Sequence, residues 1–113
     1  MTSDRILIAE YAIKQLILLR DRTAMIIGTN DDVNAARAFI HGLGVGVAYF
    51  GCRAKLAHIR KAIVSRGWKW GPTAPVSEMR LRQMSNAEIV SELTEIEIAC
   101  WELYCEDLRH GTG

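Results

Sequence analysis

Polarity almost disappears at the start of the chain. Between Ile6 and Leu19 only Glu10, Lys14 and Gln15 are polar, and Glu10 and Lys14 stand four apart in the order that favours an i, i+4 pair on a helix. Ser3 or Asp4 ahead of the run offers an N-cap, and Gly28 behind it offers the left-handed residue that ends a helix. The pattern predicts one helix ending at Gly28, apolar on nearly every side. Such a helix has to be covered all round.

A second pattern begins at "TNDD", where Asp31 and Asp32 face the positive end of the next helix dipole. Apolar residues then recur at 33, 36, 40, 43, 47, 50, 54 and 57, a single helical phase. Glycines 42, 44 and 46 lie inside it, each unfavourable by roughly 1 kcal/mol against alanine in a helix. Two helices in line, or one long central helix bent near Gly44, should therefore run to Gly67. Gly42 and Gly46, four apart, would let another backbone approach closely. "AMIIG" and "VGVAYF" read as strands only in a mixed fold.

After the connector "GWKWGP", Ser77 can open a short helix over "EMRLRQM", and "SNAE" at 85–88 has the form of a capping box. The last helix should run to about His110 and stop at Gly111. At about 100° per residue it gathers Glu88, Glu92, Glu95, Glu102 and Glu106 into one stripe. Ile89, Leu93, Ile96, Cys100 and Leu103 form one apolar seam, and Val90, Ile98, Trp101, Cys105 and Leu108 form another. This helix too needs cover on two sides. The fold expected is an all-α bundle of four to five helices, one helical domain over residues 1–113. Two such apolar helices in a chain of this length predict a homo-oligomer or a waiting protein partner.

Glu97 falls in the middle of the apolar arc, where an unpaired carboxylate is strongly disfavoured. It needs a partner, and Lys14, Arg37, His41 and His58 qualify by residue type. A structural or interfacial carboxylate is favoured over a catalytic acid, since structural networks also perturb carboxylates.

Composition changes the picture mainly through the order of charge. The net charge is only +1. Residues 1–52 hold five Lys/Arg and five Asp/Glu, residues 53–82 eight and one, and residues 83–113 one and seven. Either the basic segment offers a surface to an anionic partner, or the basic and acidic segments neutralise each other. For the first possibility the candidate contacts are Arg53, Arg60, Lys61, Arg66, Lys69, Arg80 and Arg82, with Trp68 and Trp70 as stacking platforms for nucleic acid. Against it, a helix-turn-helix over "MRLRQMSNAEIVSEL" would turn Glu88, Glu92 and Glu95 toward phosphates. In an extended segment the two tryptophans share a side, and a hinge that packs them is favoured over an exposed anchor.

Motifs for chemistry are thin. "GLGVG" lacks the third glycine of a dinucleotide fingerprint, and Gly46 to Gly51 is followed by Cys52 and Arg53 where a phosphate loop needs Lys and Ser/Thr. Cys52, Cys100 and Cys105 are odd in number and lack metal spacing, as for free thiols in a reducing compartment. No catalytic residue, metal ligand or cofactor is expected. Asp4 and Glu10 make the first segment unlike a secretory signal, and the run from Ala38 to Cys52 is short of the ~20 residues that span a bilayer. A cytoplasmic, non-enzymatic interaction protein is expected: a regulator, inhibitor or assembly subunit, a class that includes accessory proteins of phages and mobile elements. The alternative is a nucleic-acid-binding regulator using residues 53–82.

Overall fold

The computed structural model describes residues 4–71 and 75–111, and within them the chain is all-α, without a strand. Its helices are α1 (Asp4–Asp21), α2 (Thr23–Ile27), α3 (Val33–Ala48), α4 (Leu56–Ser65), α5 (Pro75–Leu81) and α6 (Asn86–Arg109). Six helices replace the four to five expected because the first pattern is cut at Arg22 and the central one at residues 49–55.

The first cut is local chemistry. Arg22 leaves the helical region at φ −135°, ψ 47°, and the Thr23 hydroxyl donates back to the Leu19 carbonyl at 2.6 Å. A hydroxyl that takes a carbonyl from the ladder weakens the helix there. The chain restarts as α2 and ends as expected at Gly28, whose φ is 92°.

The central cut falls elsewhere than the sequence suggested. α3 runs through Gly42, Gly44 and Gly46 and stops after Ala48; the turn sits at Gly51, with φ 83°. Cys52 donates its N–H back to the Val47 carbonyl at 3.2 Å, which closes that turn. A side chain added at any of the three α3 glycines would meet nothing within 4 Å. The close backbone approach expected at Gly42 and Gly46 is therefore not made among the described residues.

α5 starts at Pro75, two residues ahead of Ser77, since proline's missing N–H is harmless in the first turn. Residues 72–74 of the connector, and Ser3, lie outside the described residues. The capping box of α6 forms as read: Glu88 donates its N–H to Ser85 Oγ at 3.1 Å, and Ser85 donates its N–H to Glu88 Oε1 at 2.8 Å.

α6 is the axle, with α1, α3, α4 and α5 packed against it. Ile89, Ile96 and Cys100 join Val33, Ala36, Ile63 and Met79 in one cluster, while Ile98, Trp101 and Cys105 join Ala9, Ala12 and Leu16 in the other. Val90 packs in the first cluster rather than with the seam it was assigned to. The chain itself thus covers both sides of α6. α1 is different: Ala9, Ala12, Leu16 and Leu19 are buried, yet Leu7 and Tyr11 each remain 55% exposed and Leu18 42%. The Cα radius of gyration is 14.1 Å, against roughly 13 Å for a compact chain of this length.

Candidate functional site: a cleft with a carboxylate in its wall

α3 and α4 both lean on α6 and make little contact with each other. The wedge between them is a cleft of about 860 Å³, within the roughly 300–1,000 Å³ of typical ligand sites. Ile40, Ile59, Ile63, Leu93, Ile96 and Trp101 give it an apolar lining, and Gly44 leaves one stretch of the α3 wall without a side chain. Tyr49 and Leu56, 87% and 70% exposed, stand at its edge with Arg37, Arg53 and Lys55.

Glu97 is the acidic residue of this lining. Its Oε2 accepts from the Trp101 indole N–H at 3.1 Å, one helical turn further along α6. None of the cations named for it bonds to it. Arg37 and His41 line the same cleft, Lys14 is exposed on α1, and His58 is engaged with Asp107. Burial pushes the Glu97 carboxyl above its ordinary range, only partly offset by the indole hydrogen bond. Beside it, burial and then the Glu97 charge push the Cys100 thiol up to about 12, and burial raises Cys52 and Cys105 as well. These thiols stay protonated, so none is a ready nucleophile.

The basic segment is divided. Arg66 grips Glu92 with two hydrogen bonds of 2.7 and 2.9 Å and reaches Glu95 at 4.0 Å. Trp68 is buried and donates its indole N–H to the same Glu92 at 2.9 Å. Arg82 bonds Glu78 at 2.6 Å and lies 4.5 Å from the centroid of the Trp68 ring, and Arg80 donates to Asn86 Oδ1 at 3.1 Å. Arg53, Arg60, Lys61 and Lys69 remain exposed, without a side-chain ion pair among the described residues. Trp70 is 39% exposed, so the tryptophans do not act as a matched pair.

A polar network beside α1 carries no signal in the sequence. Lys55 donates its N–H to His58 Nδ1 at 2.9 Å, which leaves Nε2–H to donate to Asp107. The His58 ring meets Tyr104 edge-on, and the Tyr104 hydroxyl accepts from Arg5 at 3.0 Å. Arg5 also donates to the Gly51 carbonyl at 3.2 Å, and Cys52 Sγ–H donates to the Arg5 carbonyl at 3.1 Å. Both ring nitrogens of His58 are engaged, so it serves as a brace between the 51–58 connection and α6. Among the described residues, no group of three or more His, Cys, Asp or Glu could hold a metal ion.

Comparison with protein-family models, curated proteins and solved structures finds no match for the chain. The functional conclusion therefore rests on the chain's own geometry.

Proposed function

We propose that the chain is a small non-enzymatic interaction protein, a regulator, inhibitor or assembly subunit that self-associates through apolar helix surfaces. The observation that carries this is the outer face of α1, where Leu7, Tyr11 and Leu18 stay about half in water although they belong to the mostly apolar run from Ile6 to Leu19. The open cleft between α3 and α4 adds a second unfilled apolar surface. Leu7 and Tyr11 adjoin on the α1 face, with Leu18 beyond Lys14, and exposed apolar patches rimmed by polar residues mark interaction sites. No helix among the described residues is long and apolar enough to cross a membrane, and we place this assembly in the cytoplasm. Sedimentation equilibrium at micromolar concentration should give a particle mass that is a multiple of the 12.6 kDa chain. A solitary chain mass across that range would overturn the proposal.

Nucleic-acid binding is the second reading, and what favours it is the exposure of Arg53, Arg60, Lys61 and Lys69. Affinity for a labelled oligonucleotide should then fall steeply as salt rises, with a log–log slope no steeper than about −4 if these four cations make the phosphate contacts. Absence of binding at low salt removes this reading.

A further inference from the structure

The exposed face of α1 carries a pattern as well as apolar area. Asp4, Leu7, Tyr11, Lys14, Leu18 and Asp21 succeed one another at spacings of 3, 4, 3, 4 and 3, which places them on one stripe of a helix. All six are exposed, and Asp21 also accepts from its neighbour Arg20 at 3.0 Å. The stripe reads acid, apolar, apolar, cation, apolar, acid. Lys14 has no partner of its own among the described residues.

The cleft reads in the opposite sign. Its mouth carries Arg37, Arg53 and Lys55, its walls are apolar, and among the described residues its one acidic member is Glu97, whose carboxylate meets only an indole N–H. Gly44 leaves space on the α3 wall for a close approach.

Resting on the self-association proposed above, we infer that the α1 stripe of one copy docks in the α3–α4 cleft of a second copy. Lys14 reaches the partner's carboxylate at Glu97, and Asp4 and Asp21 meet the basic mouth. Leu7, Tyr11 and Leu18 fill the apolar walls. The same contact explains why a helix needing cover keeps one stripe bare, and why α3 presents Gly44 to the cleft with nothing among the described residues packed against it. Burial of Glu97 is unfavourable in the lone chain and is relieved when a cation arrives, which couples its charge to association.

The test uses full-length chains in sedimentation velocity, with far-UV circular dichroism to confirm folding. Lys14→Glu and Glu97→Lys should each weaken association by roughly thirtyfold or more. Mixing the two variants one to one, or combining both substitutions in one chain, should restore it, because each junction then again joins opposite charges. Should Glu97→Lys fail to fold, Glu97→Gln takes its place: it should weaken association while leaving the thermal melt of the dilute chain unchanged or higher.

Three results would overturn the inference while leaving self-association standing: an oligomer that tolerates both substitutions, loss with Lys14→Glu alone, or loss with Glu97→Lys alone. The second outcome assigns the stripe to some other surface, such as its own twin, and the third gives the cleft another occupant. Two disabled variants that do not rescue each other count equally against it. A wild-type chain that is monomeric throughout would instead remove the self-association on which the inference rests.

Discussion

Replacing Trp101 by alanine should lower the stability of the fold by about 3–5 kcal/mol, the usual loss for a buried aromatic. Trp101 is 3% exposed and sits where α1, the 47–54 segment and α6 converge, in the cluster that holds Ala9, Val47, Cys52 and Tyr104. Its ring meets Tyr104 edge-on, with centroids 5.5 Å apart and planes at 89°. Its indole N–H is the hydrogen-bond donor to Glu97. The substitution therefore opens a cavity under α1 and at the same time leaves a desolvated carboxylate without its donor. Native domains are stable by only about 5–15 kcal/mol in total, so the variant should be largely unfolded at modest urea. Trp101→Phe separates the two effects. It keeps most of the packing and should lose about 1–3 kcal/mol, the range for an orphaned buried acceptor. Urea titration monitored by far-UV circular dichroism decides, and a loss below about 1 kcal/mol for the alanine variant would mean that the cluster does not close around this ring.

The parts of the fold that were legible in the sequence are those decided within a few residues. The Ser85–Glu88 capping box, the stops at Gly28, Gly67 and Gly111, and, Val90 apart, the two apolar sides of α6 each depend on local spacing, and each forms as expected. The break between α3 and α4 was not legible, because apolar phase persists through residues 33 to 57 whether or not the axis is cut. Three glycines drew attention to Gly44, yet only Gly51 adopts a positive φ in that stretch. Trp68 and Trp70 part company for a similar reason. Gly67 turns the chain at φ 90° and the Trp68 N–H returns to the Ile63 carbonyl at 3.1 Å, which ties Trp68 to the end of α4 and lets its indole reach Glu92, while Trp70 has no such anchor among the described residues.

The candidate site was half legible. A carboxylate in the middle of an apolar arc singled out Glu97, and the structure places it in the cleft lining. Its partner was sought among cations, whereas the nearest donor in sequence, Trp101 at i+4, already lay on the same helical face. The cleft itself depends on how far apart α3 and α4 are set over α6, a tertiary property that periodicity does not encode. The His58–Asp107 contact spans 49 positions and leaves no pattern to find. That the basic and acidic segments neutralise each other proved true in part: Arg66 is held by α6, while Arg53, Arg60, Lys61 and Lys69 are not.

That partial neutralisation sets the second large effect. Glu92→Ala should destabilise the fold by about 1–3 kcal/mol, mostly because it strands the buried Trp68 indole N–H. Arg66, with 37% of its side chain exposed, can turn to water, and its own share should be no more than about 0–1 kcal/mol. In the intact chain, hydrogen bonds from Arg66 hold the Glu92 carboxyl below its ordinary range, assisted by Trp68 and opposed by burial. A carboxyl with a lowered folded-state pKa contributes stability that is full above the unfolded value of about 4.3 and is lost as pH falls through the folded value. The stability gap between wild type and Glu92→Ala should therefore be widest near pH 7 and narrow steadily below about pH 4. Urea titrations at both ends of that range measure it, and a gap independent of pH would show that the Glu92 charge contributes nothing. Trp68→Phe removes the donor that Glu92→Ala leaves stranded. If the indole dominates, the double variant should be less destabilised than the sum of the two single ones, whereas strict additivity would return the effect to Arg66.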